Sequence, residues 1–223
     1  MYQAVFFDAF NTLFGTRWAK DTATKRLPLQ RTVKHFLHNL DASLQATYGR
    51  ARTGEAGIPA RIFAAFADWS GMAKTGPLAL LRRNETAVLS WFRVYSDALY
   101  TLQVLSETCK LGIISNAWPY LESLLHFLGL WPYFESVVIS AKVGISKPNP
   151  AIYELALRLF HIPAEQAIFV DDIPKNVLAA EHVGLKGLWL VRTPLPMDNV
   201  PAAYRHLTQI YSLQEVIPFV MGA

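Results

Sequence analysis

A single cysteine, Cys109, in a chain of 223 residues leaves no partner for an intrachain disulfide, so nothing in the sequence calls for an oxidising compartment. Long apolar runs are missing too: none approaches the about 18 residues that a membrane-spanning helix needs. The first ten residues carry no basic charge and place Asp8 inside their apolar stretch, which is unlike a secretory leader. Charged residues make up only 17% of the chain against 52% hydrophobic, a balance that excludes intrinsic disorder. Twelve glycines and 13 prolines, without a period, exclude a collagen-like repeat. The six histidines lack metal-ligand spacing, and Cys109 sits in an apolar setting that suits packing better than nucleophilic work. The expectation is a soluble, cytoplasmic protein with no membrane contact, long enough for one α/β domain with a smaller insert.

The net charge of +4 is unevenly spread. Residues 15–95 hold 13 Lys and Arg against 5 Asp and Glu, and the remainder holds 8 against 12. The basic residues are dispersed, with only Lys25–Arg26 and Arg82–Arg83 adjacent. Solvated helix faces, or a field steering small anions, fit this pattern better than a nucleic-acid surface. A small anionic substrate is the expected partner; oligomeric state has no signature here.

Short apolar runs at residues 2–7, 111–115, 137–140, 167–171 and 187–191 read as buried strands. Helical patterns separate the later ones. Pro119 opens one, with Leu121, Leu124, Leu125 and Leu128 on a face and Gly129 as its stop. Asn149 caps the next, Pro150 begins it, and Ile152, Leu155, Ala156 and Leu159 form the expected stripe. A third runs from Pro174 to Gly184. This alternation predicts an α/β fold, a doubly wound parallel sheet. The first strand is followed by a long stretch of helical character: Leu29 to Leu44, Pro59 to Phe66, then Val88, Phe92 and Tyr95. Residues 15–95 are therefore expected to form a helical insert, a small bundle seated over the strand tips, with residues 1–14 and 96–223 as the core. Trp69, Trp91 and the phenylalanines of that stretch supply its interior; Arg17 and Trp18 read as surface residues, with substrate contact as the alternative.

Open parallel sheets bind ligands beyond the carboxyl ends of their strands. Those ends carry Asp8, Ser115 with Asn116, Lys147, and Asp171 with Asp172. Three carboxylates converging on one crevice repel one another and need neutralisation. A hard divalent cation with oxygen ligands provides it, and Mg²⁺ is the usual choice beside phosphate. A lysine neutralises further charge, a serine hydroxyl can hold phosphoryl oxygens, and a carboxylate can attack phosphorus. The residues alone thus point to metal-assisted phosphoryl transfer through an aspartyl intermediate.

The segment Phe7-Asp8-Ala9-Phe10-Asn11-Thr12-Leu13 resembles the first motif of the haloacid dehalogenase superfamily, usually Asp-x-Asp-Gly/Asn-Thr. Ile113-Ile114-Ser115-Asn116-Ala117 resembles the second, and Gly144-Ile145-Ser146-Lys147-Pro148 with Pro150 the third. Phe169-Val170-Asp171-Asp172 with Asn176 resembles the fourth. All four stand in the right order. The resemblance implies a Rossmann-like core with a helical cap after the first motif. It implies Asp8 as nucleophile and metal ligand, the backbone carbonyl of Phe10 as a second ligand, and Asp172 with Asp171 completing a Mg²⁺ site. Ser115 would bind the transferring group and Lys147 would neutralise it, with Thr12 and Asn116 in support at the substrate.

One position departs from the pattern. Phosphatases of the superfamily carry an aspartate two residues after the nucleophile, as acid and base; here Phe10 stands there, and a phenyl ring moves no protons. General acid–base help is worth about 10²–10⁴-fold. The 2-haloacid dehalogenases have an aromatic tyrosine at that place, yet they work without metal and replace the fourth-motif acidic pair with small polar residues. The leading expectation is a Mg²⁺-dependent hydrolase of a small phosphorylated metabolite. A 2-haloacid dehalogenase is the alternative enzyme, and a weakly catalytic binding or regulatory protein with the same fold is the alternative outside enzymes.

Overall fold

The computed structural model describes residues 2–16 and 92–222, apart from 118, 120, 194, 195, 197 and 199. The expected cap helices, with Arg17, Trp18, Trp69 and Trp91, lie outside the described residues. The chain divides into two units, Met1–Gly15 with Val94–Ala223, and Thr16–Arg93.

In the first unit, β1 (Ala4–Phe7), β4 (Lys110–Ser115), β5 (Ser136–Ile139), β6 (Ala167–Asp171), β7 (Lys186–Leu190) and β8 (Gln209–Ile210) form one sheet in the order β5-β4-β1-β6-β7-β8. Every pairing in it is parallel. The five strands read from the sequence are present within a residue or two of their expected ends, and β8 joins as a two-residue edge. The order places the topological switch beside β1: the chain winds outward through β4 and β5, then returns to β6 on the other flank. Ligand crevices form at such switches because the connections on the two flanks diverge.

The helices are α1 (Ser96–Ser106), α2 (Leu121–Phe127), α3 (Ser140–Val143), α4 (Pro150–Phe160), α5 (Pro174–Val183) and α6 (Val216–Met221). Helix α4 begins as its sequence suggests, with the Asn149 side chain accepting from the Ala151 N–H at 3.0 Å. Gly129 and Gly184 take left-handed φ values of 70° and 102° just past α2 and α5. The buried stripe of α4 is rotated from the expected one. Ile152, Tyr153, Ala156, Leu157 and Phe160 face inward, while Leu159 is exposed. Helix α4 is apolar around most of its circumference, and the two aromatic rings, with the largest area to hide, set the phase.

Phe6, Ile114, Val138 and Phe169 meet Tyr153, Ala156 and Phe160 in one core cluster. Gly112 on β4 is required there, because a Cβ would lie 2.7 Å from both Phe160 and Phe6. The space is taken by the Phe6 and Phe160 rings, packed edge to face at 4.7 Å.

The sequence places Phe92 and Tyr95 on a helix, and the structure corrects this. Phe92–Val94 is a strand, β3, paired with β2 (Phe14–Thr16) in a separate two-stranded sheet. Tyr95 follows as the residue that precedes α1. No helix among the described residues is long and apolar enough to cross a membrane.

Candidate active site

Four strand ends deliver the polar residues. β1 ends at Phe7, and Asp8 follows, its N–H held by the Val170 carbonyl at 2.8 Å, which ties it to β6. Ser115 is the last residue of β4 and Asp171 the last of β6. Lys147 arrives in the loop between α3 and α4, and its main chain is bracketed by one side chain. Asn116 Nδ2 donates to the Lys147 carbonyl at 2.9 Å, and the Lys147 N–H donates to Asn116 Oδ1 at 2.8 Å.

Lys147 Nζ then lies 2.6 Å from Asp8 Oδ1 and 2.7 Å from Asp171 Oδ2, with all three residues buried. Ser115 Oγ donates to the same Asp8 oxygen at 3.2 Å. Asp171 is occupied on both oxygens: Oδ1 accepts from the Ile173 N–H at 2.7 Å, and Oδ2 accepts from Lys147 and from Asn176 Nδ2 at 3.0 Å. Asp172 has the Asn11 side chain as hydrogen-bond donor, and its own carbonyl takes the Trp189 indole N–H at 3.0 Å. Carboxylate oxygens of Asp8, Asp171 and Asp172 all lie within 4.8 Å of one another.

Three carboxylates therefore face one ammonium. Burial pushes the Asp8 carboxyl up to about 6, against the pull of Lys147 and with a further push from Asp171. Burial, then Asp8 and Asp171, push Asp172 up to about 8. Burial alone would lower Lys147, but Asp171 and Asp8 outweigh it and hold its ammonium above the ordinary value. Asp8 and Asp172 bind protons more tightly when folded, so the folded chain holds more protons than the unfolded one from about pH 4 to 8. The metal-free protein should accordingly lose thermal stability as pH rises through that window. Melting curves in chelator between pH 5 and 8.5 check this, and Asp172→Asn should flatten the slope. A melting temperature that climbs with pH would contradict it.

Phe10 and Thr12 lie in the turn after β1. The Phe10 ring packs edge-on against Phe14 at 4.8 Å, and the two residues also form a β-bridge. Thr12 is fully buried, with Oγ1 unpartnered. Two further groups support the site without a distinct mark in the sequence. Tyr153 sends its hydroxyl to the Asn176 carbonyl at 2.9 Å and so holds the residue that braces Asp171. Its position three residues after Pro150 was the available signal, but it reads equally as core. Trp189 lies mid-strand and gave no sign of reaching the site.

The family model for haloacid dehalogenase-like hydrolases matches residues 2–184. The chain belongs to this family. Haloacid dehalogenase-like hydrolase domain-containing protein 3 of Danio rerio is 31% identical over 217 residues, 90% of this chain and 85% of that protein. A glyceraldehyde 3-phosphate phosphatase of Methanopyrus kandleri is 32% identical over 122 residues, 50% of this chain and 52% of its own length. Among solved structures, L-2-haloacid dehalogenase from Xanthobacter autotrophicus superposes with a TM-score of 0.72 at 21% identity, covering all of this chain and 99% of that one. This haloacid dehalogenase-like chain thus shares its fold with that dehalogenase, and it is a hydrolase by family.

Proposed function

We propose that the chain is a Mg²⁺-dependent phosphohydrolase of small phosphorylated substrates, with Asp8 as the nucleophile. The observation that carries this reading is the surplus of carboxylate at the switch point: three acidic groups within 4.8 Å, answered by one lysine. The donor set is all oxygen, which suits a hard cation and not a soft one. Asp8, Asp172 and the Phe10 carbonyl would hold the ion. Asp171, spent on Lys147, Asn176 and the Ile173 N–H, serves by anchoring them. When bound, Mg²⁺ supplies charge neutralisation for phosphoryl oxygens and for the carboxylates themselves.

The chain's own groups do the rest. A carboxylate oxygen of Asp8 attacks phosphorus, the bond from phosphorus to the leaving oxygen breaks, and the leaving group departs with that electron pair. Water then attacks the phosphorus of the aspartyl phosphate, freeing inorganic phosphate and regenerating Asp8. Lys147 keeps Asp8 anionic and meets the charge on the transferring group, and Ser115 Oγ donates to a phosphoryl oxygen. Asn116 is a positioning residue, since its amide is committed to the Lys147 main chain on both sides. The phosphatases among the relatives support the same class of substrate.

The aromatic Phe10 favours dehalogenation, and it leaves the carboxylate surplus unexplained. One assay pair separates the readings: phosphate release from acetyl phosphate, and chloride release from 2-chloropropionate, each with Mg²⁺ and with chelator. Phosphate release that chelator abolishes is expected. Chloride release insensitive to chelator would overturn the proposal, and neither product would leave a binding protein. Asp172→Asn should raise the Mg²⁺ concentration for half-maximal activity well beyond tenfold, since even outer partners of a metal ligand are worth about 10–100-fold. An unchanged metal titration would remove Asp172 from the site.

A further inference from the structure

The geometry points to Arg192 as a positioning residue that holds the turn presenting the Phe10 carbonyl and the Asn11 amide to the acidic centre. This rests on the phosphohydrolase reading for the purpose of that turn, but the clamp itself is visible. Arg192 follows β7 and reaches across to the segment after β1. Its Nε donates to the Asn11 carbonyl at 3.0 Å and its Nη2 to the Thr12 carbonyl at 2.5 Å. Its Nη1 and Nη2 meet Asp97 in a two-pronged ion pair at 3.1–3.2 Å. Its face lies 3.7 Å from the centre of the Tyr95 ring. Asp97 is fixed in turn by the Leu213 N–H at 2.9 Å and Ser212 Oγ at 3.2 Å.

Those contacts use the planar fork of an arginine, and a lysine could not reproduce them. Two consecutive carbonyls drawn to one guanidinium leave the turn little freedom, and Asn11 sits in it at a left-handed φ of 59°. That conformation aims the Asn11 side chain at Asp172. These partners of Arg192 include none of Asp8, Asp171 and Asp172, so it acts through the turn.

The test uses the full chain and the variants Arg192→Gln, Arg192→Lys and Asp97→Asn, each checked for native circular dichroism. Calorimetric titration with Mg²⁺ alone should show affinity about tenfold weaker in Arg192→Gln, the scale of outer-shell partners. With acetyl phosphate, kcat should fall while KM stays within about twofold, since Ser115 and Lys147, which meet the phosphoryl group, are untouched. Hydrogen exchange should quicken at the Asn11, Leu13 and Phe14 amides, which bond within the turn, and not in α4. Arg192→Lys and Asp97→Asn should move the same readouts in the same direction by less, and they decide the matter if Arg192→Gln does not fold. A folded variant with native Mg²⁺ affinity and native exchange at the turn overturns the inference. If the wild-type chain binds no Mg²⁺, the metal reading fails by itself; exchange at the turn then decides, with unchanged rates refuting the clamp and faster rates sustaining it.

Discussion

Asp8→Asn should lower phosphate release by on the order of 10⁴-fold or more while leaving the chain folded, because an amide keeps the shape of the carboxyl but cannot attack phosphorus. Stability should survive for a specific reason. Burial and Asp171 hold the Asp8 carboxyl above its ordinary range, so its ionised form costs the fold free energy at neutral pH. The amide removes that cost. Lys147 loses one negative charge, at 2.6 Å, but keeps that of Asp171 at 2.7 Å, so no buried charge is left alone. A phosphate-release assay at saturating Mg²⁺, paired with a melting curve, checks both halves. Retention of more than a few per cent of activity would assign the nucleophile elsewhere.

The second large effect is expected at Phe10. Without an acid there, the native chain should turn over acyl and activated aryl phosphates far faster than alkyl phosphates, since only the former leave readily as anions. A plot of log kcat/KM against leaving-group pKa should fall steeply. Phe10→Asp should flatten it and speed alkyl phosphate turnover by up to the about 10²–10⁴-fold of general acid–base catalysis. The gain will be reduced because the variant gives up the edge-on contact with Phe14, worth about 0.5–1.5 kcal/mol, and loosens the turn that must aim the new carboxyl. A flat plot for the native protein would mean that another group already delivers the proton.

The sheet and the meeting of Asp8, Ser115, Lys147 and Asp171 were legible because each rests on a local signal. A buried parallel strand shows as a continuous apolar run, and a polar residue at its tip marks the ligand-binding edge. Features that depend on partners distant in sequence were not legible. Phe92–Val94 is three residues long and is a strand only because Phe14–Thr16 lies beside it. The phase of α4 was lost because an apolar residue stands on nearly every side of that helix, leaving the choice to the fit of Tyr153 and Phe160 against the sheet. The different surroundings of Asp171 and Asp172 were hidden as well. Adjacent aspartates look alike in sequence, and only the donors gathered round Asp171 tell them apart. Arg192 gave no sign at all, since an arginine after a strand reads as solvated surface.

Asp8 and Asp171 sit one position beyond Phe7 and Val170, which are paired in the parallel register of β1 and β6. Successive side chains on a strand alternate between faces, so slipping β1 by a single residue would turn the Asp8 carboxyl away from Lys147. The ammonium can bridge both acids in one register only. A molecule whose strands are formed but misaligned would look native by its content of secondary structure and still be silent in an assay. Turnover in a refolded sample is therefore a count of correctly aligned molecules, which spectroscopy of the backbone cannot provide.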